Sequence, residues 1–185
     1  MNRLLPLLII LLISTGCSSK KYYTLGTNIN VKSNVTYTKP IDIVTVNIPK
    51  YLQDYILVRQ TTPYQVKLLD KAQWLTPMKK RLTNVLIDYL QKSLHNPNVH
   101  LYPWNGNRDP YQRVSLSIKR FIAYEDKVYL DANYKIYNYK TKKSINELFS
   151  TTVPTDQTVD GMMKSMEKAY FKLIKKIQDA IIQQI

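Results

Sequence analysis

The sequence predicts an α+β fold, a two-layer sandwich with two long helices packed on one face of a mostly antiparallel sheet. Three observations lead there. From Val128 to Tyr137 the chain alternates: Val128, Leu130, Ala132, Tyr134 and Ile136 face one way, and Tyr129, Asp131, Asn133, Lys135 and Tyr137 the other, as in a strand with one covered face. Two other stretches place apolar residues three and four apart: Met78, Leu82, Val85, Leu86, Tyr89 and Leu90, then Met162, Met166, Ala169, Tyr170, Leu173, Ile177 and Ile181. The only cysteine is Cys17, so no disulfide holds the fold and the one-sided surfaces must bury one another. Two layers is the simplest arrangement that does so.

The elements follow in chain order. Arg3 precedes an aliphatic run, Leu4 to Ile13, of about 10 residues or ~15 Å as a helix, against the ~20 residues needed to cross a bilayer. Small residues Ser14, Thr15 and Gly16 then lead to Cys17, which makes residues 1–16 a secretory signal with a lipoprotein cleavage site. The stretch resembles a bacterial lipobox, with Ser14 where Leu usually stands and Ile13 one place further out. The competing reading is an ordinary signal peptide with a chance cysteine. An acylated Cys17 holds three chains in the membrane, more than the two signals that stable anchoring requires. Ser18 stands where an Asp would retain such a protein at the inner membrane, which points to the periplasmic face of the outer membrane. Residues 17–21 are then a lipidated tether, and 22–185 a single domain that sits close to the lipid.

Tyr22 to Leu25 reads as a first extended piece and Gly26 to Lys39, without a sustained period, as a loop. Ile41 to Ile48 is apolar on both faces, a central strand closed by Pro49. Tyr55–Gln60 and Tyr64–Leu69 flank Thr61-Thr62-Pro63 as a hairpin. Thr76-Pro77 reads as N-cap and first residue of a helix that runs to about Leu94, before Asn96-Pro97. A short Val99–Tyr102 piece and a turn-rich stretch, Trp104 to Pro110, precede a strand with Val114, Leu116 and Ile118. Its phase breaks at Arg120, which predicts a bulge between Lys119 and Phe121. Glu125-Asp126 turns the chain into the alternating strand, Lys140 to Lys143 makes the next turn, and Leu148 to Val153 is a further strand. The second helix runs from Asp156 or Val159 to Ile182.

Composition narrows the function classes. The formal charge of +14 suggests nucleic acid, but of 27 basic residues only six are Arg. Lysines scattered over every face solvate, whereas phosphate recognition favours clustered, forked Arg contacts, and an exported protein rarely meets nucleic acid. No nucleic-acid partner is expected; anionic headgroups or an acidic partner fit the charge better. His95 and His100 are too few and too badly placed for a metal cage. Gly16, Gly26, Gly106 and Gly161 lie too far apart for a phosphate loop. No Ser stands in a nucleophile elbow, and the sparse acids pair only at Glu125-Asp126. The chain is read as a non-enzyme without metal or cofactor.

Three features suit binding instead. Lys164, Lys168, Lys172, Lys175 and Lys176 form a line opposite the apolar stripe of the last helix, either a plain solvated face or a contact for headgroups or an acidic partner. Tyr129, Asn133 and Tyr137 share the outward face of one strand, either an interface or a surface covered by another segment. Tyr102-Pro103-Trp104 is an aromatic loop cluster, read first as a plug at one end of the core and second as a contact.

Several stretches together resemble a known family. Tyr22-Tyr23-Thr24-Leu25 follows the lipobox; then come Val46-Asn47-Ile48-Pro49 with Tyr51-Leu52, and Val58 to Gln60. Trp74-Leu75-Thr76-Pro77-Met78 leads into the helix of Leu82, Leu86 and Leu90, and the strand of Val114, Leu116, Ile118 and Phe121 follows. In this order they resemble the ABC-type transport auxiliary lipoproteins typified by paraquat-inducible protein C, across nearly the whole mature chain. The resemblance implies a non-catalytic outer-membrane lipoprotein of an MCE-type lipid transport system. Such a protein docks a periplasm-spanning MCE-domain subunit at the outer membrane, as a homo-oligomeric ring, with a phospholipid as cargo. Trp74 and Pro77 would fix the start of the first helix. Two rivals stand beside this reading, a monomeric lipoprotein plug in lipopolysaccharide or envelope assembly and a cell-wall or polysaccharide enzyme.

Overall fold

The computed structural model describes residues 19–27, 29–31, 34–104 and 110–183. The predicted signal peptide, Cys17 and most of the turn-rich stretch after Trp104 lie outside these residues. The elements in order are β1 (Lys21–Tyr23), β2 (Ile41–Ile43), a 3-10 turn (Lys50–Leu52), β3 (Ile56–Thr62), β4 (Gln65–Trp74), α1 (Met78–Ser93), β5 (Val99–Leu101), β6 (Gln112–Tyr124), β7 (Lys127–Asn138), β8 (Ser144–Pro154) and α2 (Val159–Gln183). The architecture is α+β, a mostly antiparallel sheet of eight strands carrying two helices.

The long antiparallel trio β6, β7 and β8 forms the trunk of the sheet. The other side of β6 is shared between two branches. Its first residues pair with β2, which is parallel to it and to β5, while its last residue, Tyr124, pairs with Gln60 of β3. Beyond β3 come antiparallel β4 and then β1, which is parallel to β4. The register of β6 slips between Ile118 and Arg120, where the sequence broke its alternation. The slip puts Phe121 on the helix side with Val114, Leu116 and Ile118, so the strand stays amphipathic past the extra residue.

On β7 every second residue from Val128 to Ile136 is buried beneath the helices, while Tyr129, Asp131, Asn133, Lys135 and Tyr137 point away from them. The two helical stripes close the other side of the core: Leu82, Val85, Leu86 and Leu90 of α1, and Ala169, Leu173, Ile177 and Ile181 of α2, are all buried. Fully buried Tyr170 on α2 donates its hydroxyl hydrogen to the Leu82 carbonyl of α1 at 2.8 Å, which meets the buried phenol's need for a partner and ties the helices together.

Two expectations are corrected. The strand expected over Ile41 to Ile48 pairs regularly only as far as Ile43, with an isolated bridge at Asn47 and Ser117. The Val46 N–H donates to Thr83 Oγ1 of α1 at 3.0 Å instead of to the ladder, so packing under the helix interrupts the strand. Thr76 does not cap α1. Pro77 holds the N-cap position in an extended conformation (φ −52°, ψ 123°), with no side-chain cap, and the helix begins one residue later at Met78. The stretch Gly26 to Lys39 is a loop, as its lack of a period predicts, with no strand among its described residues, and it is tied to both helices. The Gly26 N–H donates to Glu167 Oε1 at 2.6 Å, Arg81 Nε donates to the Leu25 carbonyl, and the Tyr37 N–H donates to the Leu94 carbonyl at 2.9 Å. Gly26 sits at φ +71°, hard against Val85, so the crossing needs glycine for both its backbone and its lack of a side chain.

Candidate interaction surfaces

The predicted contact residues fall into three places. Tyr102, Trp104 and Tyr137 gather at the end of the sheet where β5, β2 and the start of β6 meet the end of β7. There the Arg113 guanidinium, on β6, lies 3.7 Å from the Tyr102 ring centroid and 5.1 Å from that of Tyr139, and reaches Asp42 of β2 at 3.5 Å. A flat cation between two aromatic faces with a carboxylate at its edge is an arrangement Arg favours over Lys. Tyr137 meets Tyr139 edge on at 4.8 Å, and Trp104 stacks on His100 at 4.1 Å and 7°. Burial pushes the Tyr139 phenol up, while Arg113 beside it pulls the other way. A cleft of about 610 Å³ opens here, lined in part by Tyr111, Arg113, Tyr139, Lys140 and Lys142.

The expectation that Tyr102-Pro103-Trp104 plugs the core is overturned. Tyr102 is 40% and Trp104 54% exposed, because the chain leaves β5 at the sheet edge. Both rings are held by surface partners instead. Arg113 and Tyr139, the centre of this cluster, escaped the sequence reading. One signal was present: Asp42 is the single acid inside the apolar run Ile41 to Ile48, and a nearly buried acid needs a cationic partner.

Tyr129 stands at the opposite end of β7, eight residues or roughly 26 Å from Tyr137. Its ring lies 4.1 Å from the Arg120 guanidinium and 6.4 Å from Tyr124, so the bulge that set Arg120 outward also supplied its aromatic partner. Tyr129 and Tyr137 therefore share a face without forming one site. Asn133 lies between them.

Lys164, Lys168 and Lys172 are all exposed along α2, and among the described residues no carboxylate comes within ion-pair distance of them. Lys175 and Lys176 pair instead with Asp179 at 3.5 Å and Glu147 at 3.8 Å. The row rims a shallow groove of about 370 Å³ whose walls include Tyr89 of α1 and Phe171 of α2, their rings 5.7 Å apart. Glu167, also in this groove, accepts the Gly26 N–H, which brings the start of the folded chain beside the lysines. No described helix is long and apolar enough to cross a membrane, and no group of three or more His, Cys, Asp or Glu among the described residues could hold a metal ion.

Comparison with known proteins gives a family and a fold. No curated protein sequence matches the chain. A solved structure described only as an uncharacterized protein superposes with a TM-score of 0.72 at 18% identity, covering 88% of this chain and 99% of its own. A Xanthomonas campestris protein of family DUF330 does so with a TM-score of 0.71 at 12% identity, covering 89% and 100%. At such identities the likeness speaks for the fold alone. The family model described as the ABC-type transport auxiliary lipoprotein component matches residues 23–178. That match runs from the end of β1 into the last turns of α2, and the chain belongs to the ABC-type transport auxiliary lipoprotein family, a family of transport components.

Proposed function

We propose that this chain is the outer-membrane lipoprotein of an MCE-type intermembrane lipid transport system, where it docks the periplasm-spanning MCE-domain subunit as a homo-oligomer. The observation that carries the reading is the family match over the folded chain, which makes the protein an accessory of transport. The sequence adds the anchor. Acylation at Cys17 leaves three residues, Ser18 to Lys20, before the pairing of β1 begins at Lys21, and the four Cα steps from Cys17 to Lys21 reach no more than ~14 Å. A hydrophobic cargo needs a shielded route across water, and a docking subunit so closely tethered holds the end of that route at the acceptor membrane.

In this reading the lysine row of α2 faces anionic headgroups of the leaflet that holds Cys17. The aromatic end of the sheet, with Tyr102, Trp104 and Tyr137, is a contact for the MCE-domain subunit. Affinity capture of the tagged full-length protein from crosslinked cells tests the proposal. An MCE-domain protein should be recovered with it, and the tagged protein should fractionate with the outer membrane unless Cys17 is replaced by Ala. Recovery in the inner membrane would overturn the localisation. A monomer recovered with lipopolysaccharide-assembly proteins and without any MCE-domain protein would overturn the docking role in favour of an envelope-assembly plug.

A further inference from the structure

The branched sheet has three ends, at β5, at β8 and at β4 with β1, and the last two carry long open edges. Strand β8 pairs with β7 over Ser144 to Tyr137, through to Pro154 and Lys127, without a register shift, and with no other described strand. Natural edge strands are blunted by shortness, bulges, lysines or internal prolines. β8 has eleven residues, no lysine, and no proline before its last position. At the other side, β1 covers β4 only at Ala72, Gln73 and Trp74, and no other described strand pairs with Gln65 to Lys71 on that side.

We propose that copies of this chain associate head to tail, the open edge of β8 in one subunit adding to the Gln65–Lys71 stretch of β4 in the next, so that one sheet continues through the assembly. The inference rests on the homo-oligomeric reading above and names the surfaces that make it. Strand direction fits. β8 runs parallel to β6 and β4 antiparallel to it, so a neighbour that continues the sheet presents β4 antiparallel to β8.

The faces fit as well. Leu148, 89% exposed, pairs with Asn133 and so lies on the side of the sheet away from the helices. Leu68 (53% exposed) and Val66 lie on that same side of β4, because their neighbours Lys67 and Leu69 pair with Arg59 and fully buried Leu57, which face the helices. A continued sheet therefore sets Leu148 against Leu68 or Val66 and covers exposed apolar side chains from both edges.

Charge decides between this pairing and the alternative. Glu147 is the one charged residue of β8 and lies on the helix side, as does Lys67 of β4. Joining β8 to a second β8 would instead bring two Glu147 carboxylates into one strip with no cation on either strand, and would leave Val66 and Leu68 uncovered. Head-to-tail contacts close into rings when the rotation between copies permits.

The test uses full-length protein in its membrane, where acylation consumes the Cys17 thiol and leaves no other. Oxidation of the Leu68→Cys/Leu148→Cys and Val66→Cys/Leu148→Cys variants is expected to give a ladder of covalent multimers from at least one pair, and neither cysteine alone to give any. A covalent dimer from Leu148→Cys alone would overturn the proposal in favour of β8 pairing with itself. As a second measurement, Asn146→Lys/Leu148→Lys changes two exposed residues and should lower the mass of the detergent-extracted protein from multimer to monomer. An unchanged multimer would overturn the role of β8 while leaving the homo-oligomer standing. Loss of the multimer with no ladder from either pair would overturn β4 as the acceptor. A wild-type protein that is itself monomeric would overturn both this inference and the oligomeric reading beneath it.

Discussion

At the scale of single residues, the entry into α2 shows how local chemistry sets an element boundary. Thr158 Oγ1 accepts the Gly161 N–H at 2.9 Å, the bond an N-cap makes to the third helical residue, and Asp156 Oδ1 accepts from the Thr158 N–H at 2.8 Å and from its hydroxyl. Gly161 leaves the space that the Asp156 carboxylate occupies. Thr158→Ala should cost about 1 kcal/mol in urea unfolding. The Thr158 hydrogen bonds hold the Asp156 carboxyl below the ordinary carboxylate range. Because the folded value is the lower one, this contribution is complete above the unfolded pKa near 4 and fades as pH falls through the folded value. Asp156→Asn should therefore lower stability at pH 7 and narrow the difference from wild type on acidification, as read from melting temperatures across pH 7 to 3. The Asp156–Thr158 cap was half legible: the sequence left the start of α2 open between Asp156 and Val159, and the structure uses the residues between as the cap.

At the scale of elements, burial sorts the outcomes of substitution. Ile177 lies fully buried on α2 and Leu148 almost fully exposed on β8, although both are aliphatic residues of regular elements. Ile177→Ala should cost about 2–5 kcal/mol by removing apolar volume that neighbours cannot refill, while in the separated subunit Leu148→Ala should fall within about 0.5 kcal/mol. Tyr170→Phe keeps the ring and removes only the bond to Leu82, at a cost of about 1 kcal/mol. Denaturant midpoints for the three variants check all of these. The helices and long strands were legible in the sequence because each buries one face through its own local period. β2 was legible only in part. Its two-sided apolar pattern placed it at the centre of the sheet, but the hydrogen bond from Val46 to Thr83 that cuts its ladder joins residues 37 apart in sequence.

At the scale of the whole molecule, the charge of the helix layer lies beside the start of the folded chain. The helix layer carries Lys164, Lys168 and Lys172 on its outer surface, and Glu167 in the same row holds the chain only a few residues after β1. A lysine near an anionic membrane surface contributes about 1 kcal/mol. The unacylated mature chain should therefore bind phosphatidylglycerol vesicles more tightly than phosphatidylcholine vesicles, with affinity falling as salt rises. Lys164→Gln/Lys168→Gln/Lys172→Gln should weaken that binding on the order of a hundredfold, and co-sedimentation at two salt concentrations checks it. Equal binding to both vesicle types would leave the lysine row a solvated face.

The sequence by itself determined the α+β class, the helical stripes, the bulge in β6 and the family resemblance, because each is written in local periods or in the order of short motifs. Only the tertiary structure decided what faces what. It parted Tyr129 from Tyr137, turned Tyr102 and Trp104 out of the core, gathered Asp42, Tyr102 and Tyr139 around the Arg113 cation, and drew the segment after Gly26 to both helices. It also left β8 and most of β4 as open edges on a common sheet. The reason is physical: periodicity reports which side of an element meets the core, whereas partners across the sheet and open edges depend on how distant segments are brought together, and no local pattern encodes that.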